Sequence, residues 1–270
     1  MQTSRSTQRL RGVVLAAILG LAAGVAEAVT LEKKLAATYE LPEGRRLVVR
    51  NVNGDVTLGV WDRDEVRVVA TKSAKGGDRE DVEAYLEALT VRVGQESDRL
   101  VFEVKDPRRG KGLLSWFDFD SVRGDVEFEI TAPWGAAVEL STVNGGVHVA
   151  DLGGQLSATS VNGRLALTSV GGEVEASTVN GGIHVTISDV ASAATLALTT
   201  VNGGITLEAP RDLRAAIDAR TTNGSVASDL PLVEEGQRSR TRLVGRLNGG
   251  GASIRLRTTN GSVRLRELSE

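Results

Sequence analysis

Nine asparagines occur in this 270-residue chain, and eight of them are followed directly by glycine. Asn and Gly are the residues that most readily adopt positive φ, so each Asn-Gly pair predicts a tight change of chain direction. A chain that makes the same corner many times is built from copies of one small unit. The pairs begin at Asn53, Asn144, Asn162, Asn180, Asn202, Asn223, Asn248 and Asn260.

The repeating unit is nine residues long, as the glycines from Gly145 to Gly181 show. Its third and fifth positions are apolar and alternate with polar or small residues, the pattern of a strand with one buried face. Its eighth position is also apolar and sits at a corner, for example at Val161 and Val170. Units that end in Asn alternate with units that end differently, so the full repeat is a pair of about 18 residues.

Two folds can produce this period. In a β-solenoid each pair of units forms one coil, and like strands stack about 4.8 Å apart. In an antiparallel meander each Asn-Gly would form a two-residue hairpin turn. A hairpin would turn the apolar corner residue away from the core, whereas a coil would point it inward, so we favour the solenoid. We then expect an internal hydrogen-bonded asparagine ladder, formed by Asn53, Asn144, Asn162, Asn180, Asn202, Asn223 and Asn260.

The insertions between repeats all fall at the corner without Asn-Gly. They lie at 190–193, 212–214 and 233–251. One edge of the molecule is therefore predicted to be uniform, while the other carries variable loops. Such loops are where repeat proteins often contact their partners.

We predict a single all-β solenoid domain over 29–270, with no shift in composition that would indicate a second domain. Residues 45–135 form less regular front coils with longer strands, and 136–270 form the regular Asn-Gly repeats. Within the front part, the segment from Asp78 to Leu86 is predicted to be a short helix, because acids open it and its apolar residues share one side.

The first 28 residues have the features of a secretory signal peptide. Arg5, Arg9 and Arg11 form a basic start, an apolar run follows at 13–25, and Ala26-Glu27-Ala28 supplies small residues before a cut. The apolar run is short for a membrane span. We expect an exported protein, periplasmic or extracellular after cleavage; an uncleaved N-terminal membrane anchor is the alternative.

Composition excludes several kinds of chemistry. The chain has no cysteine, which rules out disulfides, thiolate metal sites, a cysteine nucleophile and a lipid-modified N-terminal cysteine. Its formal net charge of −3 gives no signal for nucleic-acid binding.

Two pairs of titratable residues are candidates for catalysis or metal binding. His148 and His184 occupy the same place two coils apart, which is about 9–10 Å and too far for one zinc ion. Glu173 and Glu175 project from one strand face, as a glycosidase pair would. Nothing else aligns with them, so a solvated strand face is the preferred interpretation.

Asp118, Asp120 and Asp125 form an acidic group in or beside a loop. Their spacing is not that of an EF-hand loop, and a calcium site is disfavoured. We predict no metal, no cofactor and no catalytic residues.

Two further segments are candidate binding surfaces. Trp116, Phe117 and Phe119 follow a basic stretch at 108–111, and aromatic rings beside cations suit a sugar, a membrane surface or a protein groove. The alternative is a flap that covers an open side or end of the coil stack.

An arginine array near the end of the chain is the second candidate. Arg255 and Arg264 hold equivalent places in successive units, as do Arg257 and Arg266, and all should project outward. They could bind an anionic polysaccharide, a lipid phosphate or an acidic protein; alternatively, they discourage edge-to-edge pairing at the last coil. The whole array consists of Arg238, Arg240, Arg242, Arg246, Arg255, Arg257, Arg264 and Arg266.

Several repeats resemble the bacterial "putative adhesin" family, a domain of unknown function. They are Ser141-Thr-Val-Asn-Gly-Gly-Val-His-Val, Ser177-Thr-Val-Asn-Gly-Gly-Ile-His-Val and Thr199-Thr-Val-Asn-Gly-Gly-Ile-Thr-Leu, with Ile130-Thr-Ala-Pro just before the array. The resemblance covers roughly 35–270. It implies an extracytoplasmic β-solenoid in a bacterial envelope and transfers no catalytic residues.

The sequence as a whole therefore predicts an exported, non-enzymatic β-solenoid that binds or scaffolds envelope components. Its partner would be an envelope polysaccharide, lipid or protein. The alternatives are a polysaccharide-acting enzyme on a β-helix and a structural protein that self-assembles through exposed solenoid ends.

Overall fold

The structure, a computed structural model, describes residues 28–109, 121–187, 193–235 and 239–268. Two large sheets enclose one continuous core, most of whose residues are aliphatic. The fold is a β-solenoid, as the sequence predicts. No helix among the described residues is long and apolar enough to cross a membrane.

Each sheet runs the length of the molecule. In the described residues, sheet one contains, in spatial order, β1 (Val29–Glu40), β4 (Glu65–Gly76), β7 (Arg123–Pro133), β3 (Val56–Trp61), β9 (Val147–Ala150), β11 (Leu165–Thr168), β13 (Ile183–Thr186), β15 (Ile205–Ala209), β21 (Val263–Glu267) and β17 (Val226–Ser228). Sheet two contains β18 (Val233–Glu234), β19 (Arg242–Leu247), β16 (Ala215–Asn223), β20 (Ala252–Asn260), β14 (Ala193–Asn202), β12 (Gly172–Asn180), β10 (Leu156–Asn162), β8 (Ala137–Asn144), β2 (Arg46–Arg50), β6 (Arg99–Lys105) and β5 (Thr90–Gln95).

A regular coil consists of one strand from each sheet, such as β10 followed by β11. Successive coils stack in parallel and in register, so Leu156 of β10 lies between Val138 of β8 and Val174 of β12. Hydrogen-bonded asparagines of neighbouring coils are 18 residues apart up to Asn180 and 22 apart at the next coil. The longer step contains the insertion at 190–193.

The inner face of each coil is aliphatic. Leu156 and Ala158 on one sheet, and Leu165 and Leu167 on the other, are almost fully buried. At the corner without Asn-Gly, Leu152 and its counterparts also point inward, as predicted for the eighth position. In the regular coils the interdigitating inner faces of the two sheets thus form an aliphatic core. At the front of the molecule the same core also contains the buried rings of Phe102 and Phe128.

The Asn-Gly corner differs from the prediction. Its apolar eighth-position residues point outward, and Val161 and Val179 are 40% and 41% exposed. The period-2 alternation of the strand continues up to the asparagine, so the residue before each valine is the one that points inward. Thr178 is buried there and donates its hydroxyl to the carbonyl of Gly163 in the neighbouring coil, at 3.0 Å. The same bond is made by Thr142, Ser160, Thr200, Thr221 and Thr258.

Positive φ is not the reason for glycine at most of these corners. The seven stacked asparagines all have negative φ, and only Asn248, at +49°, occupies the left-handed region. Glycine is required because stacked corners approach closely: a Cβ on Gly163 would lie 1.8 Å from the carbonyl oxygen of Gly145. The prediction of turns was right, but positive φ is its basis only at Asn53-Gly54, where Gly54 has φ of +104°, and at Asn248-Gly249.

The spatial order of the coils is not the order of the chain. The last coil, β20–β21, is inserted between β14–β15 and β16–β17. At the front, β6–β7 stacks outside β2–β3. The front section still stacks directly on the regular coils, through β2 on β8 and β3 on β9.

The front end of the core is covered by helix α1 (Arg79–Ala88), which packs on β4 and β1. Asp78 caps its N-terminus, close to the predicted start. Lys72 of β4 is buried and donates to the carbonyls of Leu86 and Leu89, at 2.7 and 2.8 Å; burial lowers the pKa of this lysine. At the back, antiparallel β19 and the short β18 end sheet two.

Candidate functional site

The asparagine side chains form one hydrogen-bonded row along the Asn-Gly corner. Each Nδ2 donates to the Oδ1 of the next asparagine at 2.8 Å. The row ends at Asn53, whose amide donates to the carbonyl of Gly124. The side chains lie mostly exposed on the outside of the coils, so the ladder is external and not internal as expected. The row runs through Asn223, Asn260, Asn202, Asn180, Asn162, Asn144 and Asn53.

The Asn-Gly corner is not a uniform edge. Asp106 and Arg108, which follow β6, and Arg123, which begins β7, line a groove of about 680 Å³ there, at the front end of the ladder. Asp106 forms an ion pair with Arg108 at 2.7 Å in the groove wall. Burial alone would raise the pKa of Asp106, but the hydrogen bonds that Arg108 donates to its carboxylate outweigh the effect of burial and lower the pKa. Trp116, Phe117 and Phe119, the predicted aromatic surface, lie outside the described residues.

The arginine array does not form one surface. Arg255 and Arg257 belong to sheet two, whereas Arg264 and Arg266 belong to sheet one. Successive nine-residue units are the two halves of a single coil, so equivalent positions in them face opposite sides of the molecule.

Part of the array is also neutralised. Arg257 contacts Asp218 of β16 at 2.6 Å, and Arg220 contacts the same carboxylate at 2.9 Å. The coil that carries these residues lies inside the stack and not at its edge. Arg238 lies outside the described residues.

The histidines follow the predicted row. His148, Ala166 and His184 are register neighbours on three successive coils of sheet one. His148 lies 3.9 Å from Asp55, and His184 lies 3.7 Å from a different acid, Glu208. No group of three or more potential metal ligands occurs among the described residues.

The glutamate pair faces solvent on sheet two. Glu173 accepts a hydrogen bond from Gln155 at 3.1 Å, and Glu175 lies between Ser157 and Ala197 in the register. Stacked neighbours thus supply an amide, a hydroxyl and a methyl group, and not a second converging acid. This geometry does not match a carboxylate pair that flanks a sugar.

One exposed aromatic side chain stands out at the corner without Asn-Gly, and the sequence analysis missed it. Trp134 follows β7 directly and is 58% exposed. Its backbone N–H donates to the carbonyl of Trp61 at 3.3 Å, and its own carbonyl accepts from the N–H of Gly153 at 2.9 Å. These bonds anchor the residue between stacked corners.

The Trp134 ring packs on a glycine. A Cβ on Gly153 would lie 2.1 Å from the ring atom Cζ2 and 2.2 Å from Cε2. Only glycine therefore leaves room for the indole in this position. The sequence offered a weak signal, since Trp134 is one of three tryptophans and follows the Ile130-Thr-Ala-Pro segment.

Two polar residues, Asp151 and Ser169, lie at the same corner of the neighbouring coils, and we call the set that they form with the indole and its glycine the tryptophan corner. It comprises Trp134, Gly153, exposed Asp151 and half-buried Ser169. Asp151 and Ser169 hold the same place in successive coils, with φ of +60° and +54°. The corner thus joins an apolar ring to a carboxylate and a hydroxyl.

A second tryptophan, Trp61, lies beside this corner, but its side chain already interacts with residues of its own chain. The indole nitrogen of Trp61 donates to the carbonyl of Glu65 at 2.7 Å, and the guanidinium of Arg63 lies 5.0 Å from its ring centroid. Both interactions hold Trp61 against the loop that follows β3.

Comparison with known proteins agrees with this architecture. The Toastrack DUF4097 family model matches residues 40–266, and the chain belongs to that family. No curated protein sequence matches.

Among solved structures, a "putative cell adhesion protein" from Clostridium sporogenes is 12% identical, with a TM-score of 0.50, over 88% of this chain and 100% of that one. A "putative adhesin" from Bacteroides fragilis is 8% identical, with a TM-score of 0.28, over 87% and 97%. A "putative lipid binding protein" from Parabacteroides distasonis is 12% identical, with a TM-score of 0.31, over 91% and 98%. The first of these likenesses shows a shared fold.

Proposed function

We propose that this protein is an exported, non-enzymatic, adhesin-like module that binds envelope glycans at the tryptophan corner. The observation that supports this most directly is Trp134, a largely exposed indole seated on a glycine. The proposed adhesin-like role accords with the membership of the Toastrack DUF4097 family and with the fold shared with a "putative cell adhesion protein".

A sugar is the ligand class that suits this chemistry. A pyranose ring has a flat C–H face that packs on an indole, and hydroxyls at its edge that need hydrogen-bond partners. Asp151 and Ser169 provide an acceptor and a hydroxyl at adjacent coil positions, about 4.8 Å apart along the stack. The corner can thus pack against the flat face of a pyranose ring and also form hydrogen bonds with the hydroxyls at its edge.

A membrane surface suits the same corner less well. In the described residues the other strongly exposed large apolar side chains are Val93, Val161, Val179, Val201 and Val233. None of these valines belongs to the corner segments that contact Trp134. The loop beside it carries Asp62 and Asp64, and Asp151 adds a third carboxylate, which anionic lipids would repel.

The solenoid would contribute rigidity. The stacked coils fix the corner through backbone bonds on both sides, so little conformational entropy is lost on binding. Export through the predicted signal peptide at 1–28 would place the corner where envelope glycans occur.

The test is co-sedimentation of purified protein with insoluble peptidoglycan, chitin and cellulose. We expect retention on at least one of them and a Kd about tenfold weaker for Trp134→Ala. Trp134→Phe should retain part of the affinity, because the ring is smaller but still flat. Val179→Ala, a change at an exposed apolar residue on the other corner, should bind as wild type.

Three outcomes would contradict the proposal. Trp134→Ala could bind all three glycans as wild type does. The same variant could instead lose binding to vesicles of anionic lipid, which would indicate a membrane surface. Release of soluble sugar that disappears in Glu173→Gln/Glu175→Gln would establish the enzyme alternative.

A further inference from the structure

We propose that the protein forms a symmetric homodimer in which the free edges of two β1 strands pair antiparallel. Within the described residues, β1 is the outermost strand of sheet one and pairs only with β4. It contains 12 residues. The outer edge of such a strand is a row of backbone donors and acceptors that another strand can pair with.

The opposite end of the molecule offers no comparable edge in its described residues. There β17 has three residues and β18 has two. The remaining edge strand at the front, β5, has six. Because β1 is the only long edge strand in the part of the chain that the structure describes, twofold pairing through it closes a dimer and does not extend into a fibre. This is narrower than the self-assembly through both ends that the sequence suggested.

The two sides of β1 decide the symmetry. Leu31, Leu35 and Tyr39 are partly buried against the core on one side, whereas Lys34 and Glu40 are exposed on the other. A twofold axis perpendicular to the sheet keeps the buried sides of both copies together. Residues directly opposite each other must then come from the same side of the strand.

Charge selects the register. With the axis at Ala37, Lys34 lies opposite the partner's Glu40, and the symmetric contact forms a second time. Leu35 then lies opposite the partner's Tyr39, so the half-buried side is also complementary. Opposite charges across an antiparallel pair stabilise it, and like charges destabilise it. Neither Lys34 nor Glu40 has an ion pair within the described part of its own chain.

Neighbouring registers are less favourable. An axis at Ala36 would oppose Glu32 to the partner's Glu40. An axis at Lys33 would pair Lys34 with the partner's Glu32, but it would also place the two Lys33 side chains opposite each other on the half-buried side. An axis at Lys34 would oppose two exposed lysines. An axis at Leu35 would leave the exposed charges without partners of opposite sign. Lys33 is already paired with Glu87 of α1 at 3.0 Å, which leaves Lys34 as the available cation.

Charge reversal gives the first test. Lys34→Glu and Glu40→Lys each replace two attractive contacts by two repulsive ones, so each should weaken the dimer at least about tenfold in Kd by sedimentation velocity. The double variant restores opposite charges and should return to within about threefold of wild type. Because both residues are exposed, circular dichroism should show unchanged folding in every variant.

A cysteine cross-link gives the second test. The chain contains no cysteine, so an introduced thiol can pair only with its copy. Ala37→Cys should form a disulfide-linked dimer on mild oxidation, because directly opposite Cα atoms of an antiparallel pair are about 4.5–5.5 Å apart, within the distance that a disulfide spans. Thr30→Cys on the same strand is the control and should stay monomeric on a non-reducing gel.

The proposal fails if the wild type is monomeric up to about 100 µM. It also fails if a dimer forms but ignores the single charge reversals, or if the double reversal does not restore it. Cross-linking at Thr30→Cys and not at Ala37→Cys would exclude this register. None of these outcomes depends on what the tryptophan corner binds.

Discussion

Adjacent glycines at one Asn-Gly corner provide a sharp test of why glycine is needed there. Gly181 and Gly182 are neighbours in the chain, and neither has positive φ. A Cβ on Gly181 would lie 2.0 Å from the carbonyl oxygen of Gly163, whereas a Cβ on Gly182 would lie 3.3 Å from the carbonyl oxygen of Gly204. Gly181→Ala should therefore destabilise the protein strongly, and Gly182→Ala only slightly.

The magnitude follows from the bonds that hold this corner closed. To reach ordinary contact, the coil must move away from its neighbour by more than about 1 Å, which breaks hydrogen bonds worth roughly 0.5–1.5 kcal/mol each. Three bonds are lost, so Gly181→Ala should reduce the free energy of unfolding by about 2–4 kcal/mol. They join Thr178 to Gly163 at 3.0 Å, Asn180 to Asn162 at 2.8 Å, and the N–H of Leu165 to the carbonyl of Gly182 at 3.0 Å.

The assay is urea denaturation followed by far-ultraviolet circular dichroism. Because repeat proteins do not always unfold in one step, the midpoints of both variants should be compared under identical conditions. Gly182→Ala should stay within about 1 kcal/mol of wild type. Equal midpoints for the two variants would refute the close-approach explanation, because a general preference for glycine at the corner would affect both positions alike.

Two other changes test the corner and an ion pair. Thr178→Val should lower the free energy of unfolding by about 1–2 kcal/mol, because the hydrogen bond of a buried hydroxyl is lost, while Val179→Thr on the exposed side should hardly change it. Equal losses of stability for the two variants in chemical denaturation would contradict the inward orientation of Thr178. Asp218→Asn should lower stability at pH 7 by under about 1 kcal/mol, since the pair is partly exposed. Burial alone would raise the pKa of Asp218, but hydrogen bonds from Arg257 and Arg220 outweigh it and lower the pKa. A lowered carboxylate pKa stabilises the fold at neutral pH, so the difference from wild type should begin to shrink as the pH falls below about 4 and should be lost as the pH passes through the lowered pKa of the folded state; a constant difference across the pH series would count against the pair.

Much of the local structure could be predicted because it depends on short-range pattern. The strands of the repeats follow the period-2 alternation, and α1 begins where Asp78 supplies an N-cap. The direction of the corner residues could not be predicted as reliably. The apolar residue at Val179 suggested burial, yet the alternation places Thr178 inside, where its hydroxyl is satisfied by a carbonyl of the next coil.

The candidate site was mostly beyond prediction. Arg255 and Arg264 are equivalent in the repeat, but the two sheets carry them to opposite faces. Trp134 is a candidate binding residue because its ring packs on Gly153 of the next coil, and no local sequence pattern indicates this contact. Surface function in a solenoid depends on which residues different coils bring side by side.

The sequence by itself determined the repeating unit and the buried face of each strand, because these depend on the alternation of side chains within one coil. It also marked the glycines of the corners, but the steric reason for them lies in the close approach of neighbouring coils. Only the tertiary structure decided which coil stacks on which. Every coil presents the same backbone edge and a similar aliphatic interior, so the repeat is compatible with more than one stacking order. One irregular element shows how the order is fixed. Because β19 pairs with one edge of β16, β20 can pair only with the other edge, where it lies between β16 and β14.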